Sequence, residues 1–242
     1  MCTVVCRWQP AERWPVQILA LRDELLSRAF DPPGQWWPEQ PAVVGGRDRT
    51  AGGTWCASDP VTGVTAVVLN RPQPRVAAAG APSRGRLPLL AVRYEEQWPQ
   101  YLDVEGMAGF NLVLATPTAA RWWWFDGDEL REAGLPTGVS MFTPRGVLDE
   151  IDPRLRSGAA RLPDLDGGET ADVWTDWLPV LETAHPSPHP DSLLVRKPVG
   201  DDSYETVFAQ LIAATPGDLR LDYQSHPAQR VTREWTTRRW QG

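Results

Sequence analysis

Lysine is almost missing from this chain of 242 residues: Lys197 is the only one among 24 basic residues. Arginine, alanine, glycine and proline are abundant together, so the bias reflects a GC-rich coding sequence rather than a phosphate-binding surface. Cysteine and histidine are scarce, with three of each. Cys2, Cys6 and Cys56 cannot complete a disulfide framework and lack zinc-type spacing. His185 and His189 have the spacing of two ligands on one helix face, but Pro186, Pro188 and Pro190 forbid that helix. With only His226 besides, a metal site and a serine triad are both poorly supported, and no cofactor is expected. A formal charge of −7 and a pI near 5.0 argue against a nucleic-acid partner. No apolar run approaches the length of about 18 residues that a membrane helix needs, so no integral membrane association is expected. The opening residues lack the basic flank and apolar stretch of a signal peptide, and a cytoplasmic location is expected.

Hydrophobic residues make up 42% and charged residues 23%, enough to build a core without disulfides or metal. The 24 prolines are about twice the usual share, so many segments are extended or turning. Periodicity predicts strands over Thr3–Trp8 and Val16–Leu21. Hairpins are predicted from Thr54–Ala57 with Val64–Asn70, Asn111–Ala115 with Arg121–Phe125, and Tyr204–Ala213 with Leu219–Tyr223. The stretch from Phe30 to Gly53 reads as polar and rich in Pro and Gly. Helices are predicted over Ser83–Tyr94, Glu95–Val104 and Asp172–Ala184. Within Trp122-Trp123-Trp124, the outer two share one strand face and Trp123 takes the other, a pattern of sheet packing. The whole reads as an α+β domain with stacked antiparallel sheets over residues 1–225. Residues 226–242 form a C-terminal tail whose cations and indoles read as a frayed terminus.

Cys2 is the most suggestive residue. It follows Met1, and it is small enough for methionine aminopeptidase to remove that methionine. The mature chain would then carry a thiol and a free α-amine on one residue. An α-amine titrates near about 7.7–8.0 and can serve as a built-in general base. The alternative is a small apolar residue opening a buried strand. Leu21-Arg22-Asp23-Glu24 follows the second predicted strand. If the first two strands pair, Asp23 could hold an ammonium group and Arg22 a thiolate or carbonyl. Adjacent strand residues face opposite sides, so both serve one site only if the backbone turns there. A surface charge cluster at a strand end is the alternative.

These residues resemble the NRDE family, also called the transport and Golgi organisation protein 2 family. Met1-Cys2, Leu21-Arg22-Asp23-Glu24, Gly46-Arg47-Asp48, Ala51-Gly52-Gly53-Thr54-Trp55, Asn70, Ser83-Arg84-Gly85 and Gly109-Phe110-Asn111-Leu112 occur in its order. The resemblance implies an N-terminal nucleophile hydrolase-like fold, a four-layer αββα sandwich of two antiparallel sheets flanked by helices. It implies Cys2 as nucleophile, Arg22 and Asp23 as its positioning groups, and Asn70 at the oxyanion. Glu24, Arg47, Asp48, Gly53, Trp55 and Asn111 would line the pocket for a small-molecule substrate or ligand. Leu21 departs from the family's Asn-Arg-Asp-Glu. Gly138-Val139-Ser140-Met141 departs from Gly-Leu-Ser-Asn, and a methionine cannot donate an oxyanion hydrogen bond. The C-terminal Tyr-Gly-Thr-Arg-Ser-Ser pattern is degraded to Tyr204-Glu205-Thr206-Val207-Phe208-Ala209.

Two functions follow. One is a cysteine amidohydrolase acting on a small amide or acyl compound after loss of Met1. The other is non-catalytic binding or trafficking of an apolar ligand, such as haem or an acyl lipid, in the same pocket. A weaker third class is an interaction protein using its Arg- and Trp-rich tail.

Overall fold

The computed structural model describes residues 2–72, 78–147, 181, 184–188, 192–229 and 234–242. Its strands, in chain order, are β1 (Thr3–Trp8), β2 (Val16–Leu25), β3 (Phe30–Gly34), β4 (Val44–Asp48), β5 (Cys56–Asp59) and β6 (Val64–Asn70). After helix α1 (Leu87–Tyr94) come β7 (Phe110–Ala115), β8 (Ala120–Phe125), β9 (Leu130–Gly134), β10 (Gly138–Thr143) and β11 (Gly146–Val147). The chain ends with β12 (Arg196–Val199), β13 (Asp202–Thr215), β14 (Asp218–Ser225) and β15 (Thr236–Gln241). Among the described residues these form two antiparallel sheets. One runs β11-β10-β1-β2-β13-β14-β15, with β12 also on β13, and the other runs β3 through β9 in sequence order.

The sheets face each other, and the period-2 alternation of their strands makes the core. Val16, Ile18 and Ala20 of β2 and Ile212 and Ala214 of β13 meet Val67, Leu69, Val113 and Ala115 of the second sheet. The intervening residues Leu19, Leu21, Leu211 and Ala213 form a separate cluster on the outer face of the first sheet, joined by Leu181. Both faces are covered, so these strands read as nearly continuous apolar runs. On the outer face of the second sheet, Leu112 and Leu114 pack with Leu87, Ala91 and Val92 of α1 and with Trp98. Trp122 and Trp124 stack on one face of β8 with ring centroids 4.1 Å apart, while Trp123 meets Trp98 edge-on from the other.

Several expectations change. β2 runs on to Leu25, so Arg22, Asp23 and Glu24 lie inside a strand rather than after one. The stretch 30–53 contains β3 and β4. Prolines 32 and 33 are tolerated because β3 is a sheet edge, and Gly45 and Gly46 fit because a Cβ there would collide with the Cys56 carbonyl and the Trp55 ring. The predicted 83–94 helix divides into a 3-10 turn, Arg84–Arg86, and α1, and Glu95–Tyr101 is also 3-10. The predicted 172–184 helix lies almost wholly outside the described residues. Thus the two stacked antiparallel sheets are present with one α-helix on one outer face. Over the other outer face, the described residues include one helical residue, Leu181, packed in the cluster with Leu19 and Leu211. The tail is not frayed where it is described. β15 is an edge strand, held to β14 by side-chain bonds from Thr237 to Asp222 and Arg239 to Asp218. No helix of the described residues is long and apolar enough to cross a membrane.

Candidate active site

Three adjacent strands, β1, β2 and β13, build the site. Thr3 pairs with Leu21, so the next step along β1 brings Cys2 level with Arg22. On the other side of β2, Thr206 pairs with Asp23 and Phe208 with Arg22, leaving Val207 as the extra residue of a β-bulge. The extra residue is on β13, opposite the Arg22–Asp23 step of β2. Arg22 points between the sheets, with its guanidinium 4.6 Å from the Trp55 ring centroid and 5.5 Å from that of Phe30. The Asp23 Oδ1 accepts a 2.6 Å hydrogen bond from Thr206 Oγ1, and Thr206 in turn accepts one from the Val195 N–H.

At the open end of these strands is a cavity of about 130 Å³. It is lined by Cys2, Arg22, Asp23, Glu24, Asp48, Trp55 and Asn70, seven of the ten residues that sequence reasoning nominated, together with Arg28, Thr54, Ser83, Arg84 and Gly85 among others. Asn70 is exposed at its rim, at the end of β6.

Asp48 is the electrostatic hub. Its Oδ2 takes Arg22 Nη2 at 3.0 Å and Arg28 Nε at 2.7 Å, and its Oδ1 takes the N–H groups of Thr50 and Ala51. Burial pushes this carboxyl up, but the bonds from Arg28 and Ala51 and the charges of Arg28 and Arg22 outweigh it, so it stays below the usual range. Arg22 is itself pulled down by burial, against the charges of Glu24, a Cys2 thiolate and Asp48. Its Nη1 is buried with no hydrogen-bond partner among the described residues. Burial also pushes the Cys2 thiol up; the positive chain terminus, the Asp23 N–H and Arg22 pull the other way, while the Asp23 charge adds to the rise. The thiol therefore needs a base at the moment of attack. Cys6 is buried and raised to about 12, and burial raises Cys56 as well, so neither competes as a nucleophile.

Three nominated residues lie elsewhere. Arg47 forks onto Asp31, with Nε–Oδ2 at 2.8 Å, and stacks on Trp36. Alternation along β4 turns it from the face that carries Asp48. Asn111 is fully buried between the sheets. Its Oδ1 accepts from Arg71 and Trp122, and its Nδ2 donates to the Thr143 and Pro144 carbonyls. Gly53 is a packing position: a Cβ there would lie 2.5 Å from the Gly85 backbone. Met141 is buried with Val5 and Leu19 on the outer face of the first sheet, so its position supplies packing and not a cavity group. Arg28 and Arg84 were missed as site residues. Arg28 has no motif to mark it. Arg84 had one signal, its place in Ser83-Arg84-Gly85, where Gly85 must pass close to Gly53. Among the described residues no group of three His, Cys, Asp or Glu side chains could hold a metal ion.

The model of the family described as Transport and Golgi organisation 2 matches residues 1–165, more than half the chain. The chain belongs to the Transport and Golgi organisation 2 family. That match spans every residue nominated for the site and ends before β12, β13 and β14. Thr206, which bonds Asp23, lies outside the matched residues. No curated protein sequence matches the chain. Among solved structures it is similar to the Caenorhabditis elegans N-acylethanolamine-hydrolyzing acid amidase (NAAA) ortholog, at 10% identity and a TM-score of 0.44, covering 100% of both chains.

Proposed function

We propose that this family member is an N-terminal cysteine hydrolase, on an αββα architecture, that cleaves the C–N bond of a small amide after Met1 is removed. The observation that carries the reading is the position of Cys2. It lies at the start of the first strand, in a cavity it shares with Arg22, whose buried Nη1 is a donor without a partner among the described residues.

In this mechanism the Cys2 α-amine takes the thiol proton as Sγ attacks the amide carbonyl carbon. Arg22 Nη1 and Asn70 donate to the oxyanion, and Asp23, held by Thr206, orients the ammonium group. The C–N bond breaks as the ammonium proton passes to the leaving nitrogen, leaving a thioester on Cys2. Water then adds, its proton going to the amine, and the C–S bond breaks to release the acid and the thiol. The raised thiol suits this scheme, because an adjacent amine supplies the base it needs. A volume of about 130 Å³ with a charged lining suits a small polar amide. Haem or an acyl chain calls for a larger and mainly apolar pocket, typically about 300–1,000 Å³.

Intact mass tests the first requirement, since a retained Met1 leaves no Cys2 amine. A panel of small amides tests the second. Turnover is expected in the native protein and should fall by about 10³-fold or more in Cys2→Ala. Equal turnover in the variant overturns the reading.

A further inference from the structure

The cavity is lined by three guanidinium groups, Arg22, Arg28 and Arg84, and three carboxylates, Asp23, Glu24 and Asp48, but the contacts among them are unevenly shared. Asp48 is engaged by Arg22 and Arg28. Glu24 accepts the Leu25 N–H and lies 3.8 Å from Arg28 and 4.0 Å from Arg22. Asp23 accepts from Thr206. Arg84, half-buried on the opposite wall, has a single hydrogen bond, from Nη1 to the Gly109 carbonyl at 3.0 Å, and no ion pair among the described residues. Its guanidinium is partly taken out of water, which pulls its pKa down, and the charge of Glu24 reaches it without ion-pair contact, so an arriving anion would offset the cost of burial. The position is fixed rather than mobile in design: Ser83 accepts the Gly85 N–H, Gly85 gives its carbonyl to the Thr54 N–H at 2.9 Å, and the Gly53 and Gly85 backbones touch. The second observation is the buried Arg22 Nη1, which also lacks a partner among the described residues. Two guanidinium groups thus bracket Cys2 with donors to spare.

We propose that Arg84 is a specificity-determining residue that binds the carboxylate of the substrate, so that the site takes small amides carrying a carboxylate near the scissile bond. A guanidinium fork matches a carboxylate in geometry as well as in charge. Arg22 is then left for the carbonyl oxygen, and the two cations divide the substrate between its anionic handle and its reacting group. The identification of the bound carboxylate as part of an amide rests on the hydrolase reading above; the anion site itself does not.

Alkylation of Cys2 separates the two. Iodoacetate and iodoacetamide react with the same thiolate, so the ratio of their rates cancels thiolate fraction and access and reports the preference for an anion beside Sγ. Peptide mass mapping restricts the reading to Cys2. The expected ratio is about tenfold above that of free cysteine, returning toward it in Arg84→Gln and largely kept in Arg84→Lys. A native ratio equal to that of free cysteine overturns the proposal without need of any variant, and so does a raised ratio that Arg84→Gln leaves in place. Turnover of N-acetylglycine against N-acetylglycinamide supplies the second readout. Turnover of the neutral amide alone overturns the carboxylate site and leaves the hydrolase. A raised alkylation ratio without turnover of either leaves the anion site and removes the hydrolase.

Discussion

Thr206 Oγ1 donates to Asp23 Oδ1 at 2.6 Å across a β-bulge, tying a residue late in the chain to the motif near its start. Both side chains are buried, and the same hydroxyl accepts from the Val195 N–H at 2.8 Å. Thr206→Val keeps the shape and removes the hydroxyl. It leaves a buried carboxylate short of a donor and a buried N–H short of an acceptor. A loss of about 1–3 kcal/mol is expected, read as a lower urea midpoint with unchanged slope. Stability within about 0.3 kcal/mol of the native protein would mean that water replaces the hydroxyl at both partners.

Acidification should act through Asp48. Its carboxyl is held below the ordinary value, so the stability it contributes is complete above the unfolded carboxylate range, near about pH 4, and is lost as pH falls through the lower folded value. Denaturant midpoints taken from pH 7 to pH 3 should therefore fall steeply at the acid end. In Asp48→Asn the protein starts less stable, because Arg22 and Arg28 lose their shared partner, and the acid slope flattens. An unchanged slope in the variant would place the acid sensitivity in other carboxylates.

The parts of the fold legible in the sequence are those in which apolar alternation is local. Thr3–Trp8 and the hairpins over 111–125 and 204–223 occur as strands, because their inner residues recur every second position. In the 54–70 hairpin the second strand occurs as predicted, while the first is Cys56–Asp59 rather than Thr54–Ala57. β3 and β4 were hidden because their pairing rests on glycines that let Cys56 and Trp55 approach and on prolines at an edge, features that read locally as loop. β15 was hidden because it is held to β14 by the strand ladder, the Arg239–Asp218 ion pair and the hydrogen bond from Thr237 to Asp222 rather than by burial. In the cavity, Cys2 was legible from its place after Met1, Arg22 and Asp23 from their place at the end of the second predicted strand, and Asp48 from the family resemblance. Arg28 and Arg84 were not, since a lone arginine has no sequence signature of what it faces. Asn111 and Arg47 were nominated by position in a motif, but strand alternation and burial direct them elsewhere.

Asn111 should accordingly behave as a structural tie. It joins β7 of one sheet to the turn after β10 of the other, accepting from Arg71 and Trp122 and donating to two carbonyls. Asn111→Ala strands these buried partners and should cost about 3 kcal/mol, read by thermal or urea unfolding. The Cys2 iodoacetate-to-iodoacetamide ratio in the folded variant should match the native ratio. A shifted ratio would return Asn111 to the pocket.

Gly53→Ala tests whether the turn bearing Arg84 is held by backbone contact. The added Cβ would fall 2.5 Å from the carbonyl carbon and oxygen of Gly85, which cannot rotate away as a side chain could. Relief requires the 83–86 turn to move outward, breaking the 2.9 Å bond from the Thr54 N–H to the Gly85 carbonyl and carrying Arg84 away from Cys2. Overpacking of this kind costs about 1–3 kcal/mol. Because Arg84 itself is unaltered, its charge remains in the protein, and only its distance from Sγ changes. The variant should therefore be destabilised and should also lose the anion preference at Cys2. Loss of stability with the preference intact would mean that the neighbouring sheet, and not the turn, yields to the methyl group.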